Sequence, residues 1–158
     1  MPRIKLETNI KAKKELVFDL SRSIDLHKAS AKNTNEKAVD GVTEGLIGLD
    51  EFVTWSAKHL GFYQNLTSKI TQFNYPNSFV DEMLKGAFKD FKHQHFFKQI
   101  NGRTIMTDIF DYTSPFGILG KMADFIFLKQ YLKRFLLERN KIIKNYAETD
   151  KWKELLSA

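Results

Sequence analysis

Apolar and polar residues alternate strictly from Arg3 to Ile10, with Ile4, Leu6, Thr8 and Ile10 on one side and Arg3, Lys5, Glu7 and Asn9 on the other. A period of two predicts a half-buried strand. The period lengthens over Lys13 to Leu20, where Leu16, Val17 and Leu20 take helical spacing, and a second short helix is predicted from Ser23 to about Ser30. Ser23 suits its N-cap, and Asp25 its first turn, where the helix dipole favours negative charge. Ala31 to Glu36 reads as a loop, and glycines 41, 45 and 48 break the next region into short or bulged strand pieces. Glu51 to Leu60 is strand-like, and a turn near Leu60-Gly61 sets Trp55 opposite Leu66 and His59 opposite Phe62. Val53, Trp55, Ala57, Leu66 and Ile70 then share an inward face with polar Gln64 and Ser68. Pro76-Asn77-Ser78 reads as a turn, Phe79 to Leu84 as a strand, and Lys85-Gly86 as a second tight turn.

The rest of the chain is organised around Phe91 to Tyr112, two strands joined at Asn101-Gly102. Asn-Gly supplies the positive φ angles of a type I′ hairpin turn, which fixes the register. Ile100 faces Arg103, Phe97 faces Met106, His95 faces Asp108, His93 faces Phe110 and Phe91 faces Tyr112. All but the first pair lie on one face, aromatic and apolar apart from the two imidazoles and the carboxylate. The opposite face mixes Lys92, Gln94, Lys98, Thr107 and Asp111 with Phe96, Ile105 and Ile109 and reads as half solvated.

Ser114-Pro115 stops the last strand, and one long helix is predicted from about Phe116–Ile118 to Tyr146. Its apolar stripe is Ile118, Met122, Phe125, Leu128, Leu132, Phe135, Leu136, Ile143 and Tyr146, with Phe127 and Leu137 partly off it. The order is strand, two short helices, about six antiparallel strands, one long helix: an α+β fold. The helix is the one predicted element long enough to cover the apolar face of the sheet, and a twisted sheet curled around it leaves room for a ligand.

At 158 residues the chain is expected to form a single domain, 1–158, with a real core. Its 14 Phe argue against disorder, and the lack of Cys excludes disulfides, thiolate catalysis and cysteine-ligated zinc. No apolar run reaches the roughly 20 residues of a membrane span, and the start does not read as a signal peptide, so a cytoplasmic protein is expected. The net charge of +6 raises the question of nucleic acid. The positives are spread along the chain, with a mild excess at Lys129, Lys133, Arg134, Arg139, Lys141 and Lys144 and no base-stacking motif, so a solvated helix face accounts for them. No nucleic-acid partner and no membrane insertion are expected.

Three motifs carry a resemblance: ExVTWxAxHxG at Glu51 to Gly61, DExxxGxFxxFxHxH at Asp81 to His95, and MTDxxxYxxPxG at Met106 to Gly117. With the order of elements they make nearly the whole chain resemble the START-like SRPBCC superfamily, whose helix-grip fold is shared by the birch-pollen allergen, START domains and polyketide cyclases. The narrower likeness is to bacterial members of undefined activity. The resemblance implies a deep cavity for a lipid-like, isoprenoid or aromatic molecule. It implies no catalytic residue, cofactor or metal, since the superfamily holds both enzymes and binders and fold does not decide function.

His95 with Asp108 is the sharpest candidate pair: an Asp-oriented general acid or base, or a satisfied hydrogen-bonded couple that orients a polar ligand head. His93, His95 and Asp108 also have the composition of a two-His, one-carboxylate metal set, but they lie among large aromatics and no metal is expected there. The expected ligand lining is Trp55, Leu66, Phe91, His93, His95, Phe97, Met106, Asp108, Phe110, Tyr112, Met122 and Phe125, of which Trp55, Phe91, Phe97, Met106, Phe110 and Tyr112 also read as plain core. His27 and His59, near a short helix and a turn, are expected at the surface. Glu51 and Glu82 turn in or out with a one-residue change of register. The favoured function is binding of a hydrophobic small molecule; the alternatives are a cyclase or dehydrase using the His–Asp pair, and an accessory protein in stress or cell division that works through the long helix.

Overall fold

The computed structural model describes residues 2–59, 61–114, 117–123 and 127–156. Strand β1 (Arg3–Ile10) is followed by helices α1 (Lys14–Ser21) and α2 (Ile24–Ser30), then β2 (Lys37–Gly41), β3 (Phe52–His59), β4 (Phe62–Asn74), β5 (Ser78–Lys85), β6 (Asp90–Ile100) and β7 (Arg103–Thr113). Helices α3 (Gly117–Ala123), α4 (Lys129–Glu148) and α5 (Lys153–Leu156) follow. One antiparallel sheet runs β1-β7-β6-β5-β4-β3-β2, so only β1 leaves the sequential order, pairing with β7.

The predicted registers hold. Asn101 and Gly102 have φ of 51° and 76°, the left-handed pair a type I′ turn requires, and all five predicted β6–β7 pairs are present. Trp55 faces Leu66 and His59 faces Phe62. Ser23 caps α2, its side-chain oxygen accepting from the Leu26 N–H at 3.1 Å. β4 shifts register twice against β5, between Thr67 and Ser68 and between Ile70 and Gln72. Such bulges add twist and bend a strand, and here they curl the sheet's inner face toward α1, α2 and α4. Phe18 of α1 seals one end of the core, with Phe73, Phe79 and Phe97 all within 5.3 Å of its ring centroid.

The terminal helix needs correcting. The described helical residues divide between α3 and α4, with a π turn at Phe127–Leu128. A π turn breaks the helical phase, so a stripe counted in one register from Ile118 does not carry inward. Ile118 and Met122 are exposed, as are Phe127 and Leu137, while Leu132, Leu136 and Ile143 of α4 face the sheet. Phe125 and the predicted helix start at Phe116 lie outside the described residues. Arg139 is also corrected: it is buried, not on a solvated face. It follows Leu136 by three and precedes Ile143 by four, which is the inward stripe itself.

A buried imidazole–carboxylate cluster beside an apolar cavity

Between the sheet and α4 lies a cavity of about 190 Å³, lined by β3 to β7, the α1–α2 junction and the inner side of α4. Its apolar wall includes Ile24, Val53, Trp55, Phe79, Phe91 and Phe135. Its polar wall rises from β5 and β6. Asp81 alternates inward with Phe79, and the β5–β6 register places it opposite His93. His93 and His95 are two apart on β6, so both rings lie on the inner face, with centroids 3.8 Å apart.

Asp108 stands behind the two imidazoles and is wholly buried. Its Oδ1 accepts from His93 Nε2 at 2.9 Å and lies 3.2 Å from His95 Nδ1, a close ion contact bent out of hydrogen-bond alignment. Its Oδ2 accepts from Asn140 Nδ2 at 2.8 Å. Arg139 Nη1 is 3.5 Å from Oδ1 and donates to Asn140 Oδ1 at 3.0 Å, and Nη2 donates to the Ser21 carbonyl at 3.1 Å. The other nitrogen of His95, Nε2, donates to Asp81 Oδ2 at 2.8 Å, while His93 Nδ1 is 3.9 Å from that same oxygen.

Carboxylates accept and do not donate, so a ring nitrogen aimed at one is best protonated. His95 has a carboxylate at each nitrogen and therefore suits the imidazolium form: burial opposes the charge, and the contacts with Asp108 and Asp81 outweigh it and hold its pKa above the ordinary value. His93 has one close acceptor, and burial, then its charged neighbour His95, pushes its pKa down. Burial would raise the Asp108 carboxyl, but its hydrogen bond with His93, its close contact with His95 and the Arg139 charge hold it well below the usual carboxylate range. Asp81 is lowered against burial by His95 and His93. Two carboxylates against Arg139 and protonated His95 leave the cluster neutral, the condition under which buried charge is tolerated.

A second polar group sits toward β2 and β3. His27 Nε2 and Glu36 Oε1 are 2.9 Å apart, and His59 Nδ1 and Tyr131 Oη 2.6 Å. Burial lowers the His59 pKa and raises that of Tyr131. His27 and His59, expected at the surface, instead line the cavity, because α2 and α4 cover the residues beside them.

Of the residues expected to contact a ligand, Trp55, Leu66, Phe91, His93, His95 and Phe110 line the cavity. Phe97 and Met106 do not, because α1 lies over them: Phe18 meets Phe97, and the Ser21 hydroxyl is 3.4 Å from the Met106 sulfur. Tyr112 is buried behind Phe88 and Phe110, and Asp108 is shielded by the imidazoles. Met122 points to solvent. Glu51 turns away and accepts from the Gly48 N–H, while Glu82 faces Lys92 on the outer side of the sheet. Sequence reasoning missed Asp81, Arg139 and Asn140. The signal for Asp81 was its alternation with Phe79; for Arg139 and Asn140 it was two polar residues inside an apolar helical stripe.

No family model matches the chain, and no curated protein matches its sequence. Solved structures do. An aromatase/cyclase from a Streptomyces species has 12% identity and a TM-score of 0.73, over 93% of each chain. A Thermus thermophilus protein, TTHA0849, has 16% identity and a TM-score of 0.72, covering 92% of this chain and 99% of its own. Ginseng major latex-like protein 151 from Panax ginseng has 15% identity and a TM-score of 0.70, covering 94% and 98%. At such identities the likeness is one of fold. The chain has the helix-grip fold of START-like proteins. Among the described residues no helix is long and apolar enough to cross a membrane.

Proposed function

We propose that the protein binds a hydrophobic small molecule of one or two rings, burying its apolar body against Trp55, Phe91 and Phe135 and directing a polar substituent at His93, His95 and Asp81. The carrying observation is the cavity itself, apolar on most sides and polar on one. Its volume of about 190 Å³ is on the scale of the roughly 150 Å³ apolar cavities that take up benzene. Each 100 Å² of apolar ligand surface buried there contributes about 2.5 kcal/mol before the entropic cost of association. The naming of one fold neighbour as an aromatase/cyclase and the resemblance drawn from the motifs agree with an aromatic or lipid-like ligand.

The test is thermal stabilisation by a panel of phenols, flavonoids, isoprenoids and short fatty acids. Stabilisation by ring compounds, abolished by filling the cavity with Ser68→Phe, supports the reading; equal shifts in wild type and variant would refute it. A second reading, proton transfer on a polyketide-like substrate, is favoured by one observation: His95, placed between two carboxylates, reaches the cavity wall. Turnover that collapses in His95→Gln distinguishes it from binding alone.

A further inference from the structure

The cluster has a feature that ligand binding does not require. Asp81, His93 and His95 each place one potential metal-ligating atom within 4.8 Å of the others. The nitrogen of each imidazole that does not face Asp108 turns toward Asp81: His95 Nε2 is 2.8 Å from Asp81 Oδ2, and His93 Nδ1 is 3.9 Å from it. Metal–ligand bonds of about 2.0–2.2 Å set neighbouring ligand atoms roughly 3 Å apart, and the two observed separations bracket that spacing.

The support behind the three is what a metal-binding histidine needs. An imidazole on a metal donates its other ring N–H to a carboxylate or carbonyl, which fixes tautomer and orientation. Here one carboxylate faces both rings: Asp108 Oδ1 accepts from His93 Nε2 at 2.9 Å and lies 3.2 Å from His95 Nδ1, in ionic contact with that ring. Asn140 and Arg139 fix that carboxylate in turn. Asp81, His93 and His95 all border the cavity, so further coordination positions open onto it.

We infer that Asp81, His93 and His95 form a binding site for a divalent first-row transition-metal ion, with Asp108 as the positioning residue for both histidines. Two imidazoles and one carboxylate with open positions suit Fe(II) or Zn(II). The carboxylate differs from the one the sequence suggested: Asp108 orients, and Asp81 ligates. Arg139 already balances Asp108, so Asp81 neutralises one of the ion's two charges. The remaining charge favours a cavity ligand offering an anionic oxygen, such as a phenolate, enolate or carboxylate.

The test is titration of chelator-stripped protein with Co(II), followed by visible d–d absorption, with Zn(II) as competitor. One saturable equivalent displaced by Zn(II) is expected. Asp81→Asn should weaken Co(II) by at least about tenfold, and Asp108→Asn by about 10–100-fold. Tyr131→Phe should leave it unchanged. Should Asp108→Asn fail to fold by near-UV circular dichroism, the readout passes to wild-type imidazole ¹⁵N shifts, which Zn(II) should move at His93 Nδ1 and His95 Nε2. No saturable Co(II) band, or a band indifferent to Asp81→Asn, overturns the inference. The ring-compound thermal shifts, run in chelator, report separately on the proposed function.

Discussion

The cavity carries two histidine-containing clusters built on different plans. On β5 to β7, His93 and His95 sit in a closed system of two carboxylates, a guanidinium and an amide. Toward β2 and β3, His27 and His59 each have one polar partner, Glu36 and Tyr131, and otherwise touch the rings of Trp55 and Phe135. The first plan makes every member depend on the others, because removing one leaves a buried charge uncompensated. The second lets each pair be lost alone at the cost of one hydrogen bond.

The largest break in that comparison is Asp108→Ala, which strands the Arg139 charge in the interior and leaves His95 with Asp81 alone. A loss of about 3–5 kcal/mol is expected in urea unfolding, as for a broken buried ion pair. A loss below about 1 kcal/mol would show that the cluster does not act as a unit. Arg139→Met should cost less, about 2–3 kcal/mol, since Asn140 and the imidazoles still satisfy Asp108.

The pH dependence of stability in chelator separates His95 by sign from the other two perturbed histidines. The folded state holds His95 above the ordinary 6.5, so its stabilisation is complete below 6.5 and is lost as pH rises through the raised value. His59 and His93 are held below 6.5, so stability falls as pH drops through 6.5 toward their lowered values. A melting-temperature maximum near 6.5 follows from these groups. His95→Gln should flatten its alkaline side and His59→Gln soften its acid side; an alkaline decline that persists in His95→Gln contradicts the assignment. Smallest of all, Tyr131→Phe and Glu36→Gln should each cost about 1 kcal/mol by thermal unfolding, and the double variant should be close to their sum.

The hairpin and its neighbours were legible because strand side chains repeat every two residues and Asn101-Gly102 pins the register. His95 opposite Asp108 followed from that alone. Asp81 was harder to read because the tight turn expected at Lys85-Gly86 does not form: β5 runs through Lys85, and a longer connection through Gly86 and Phe88 leads to β6 without fixing the pairing in advance. Arg139 and Asn140 were hidden by a generic rule: a cation on a terminal helix is usually solvated, and only its place between Leu136 and Ile143 marked the exception. Met122 failed because helical phase does not survive the π turn. Side-chain partnership across 32 positions, as of Asn140 with Asp108, has no local signature.

The guanidinium of Arg139 reaches both the sheet, through Asp108, and the last turn of α1, through the Ser21 carbonyl. It works as a rivet through three layers. Helix α4 cannot lift from the sheet at that point without dragging α1 along, so enlargement of the chamber to admit a bulkier guest is confined to the other flank. There His59 of β3 meets α4 through one hydrogen-bonding partner, Tyr131, and the ring of Phe135.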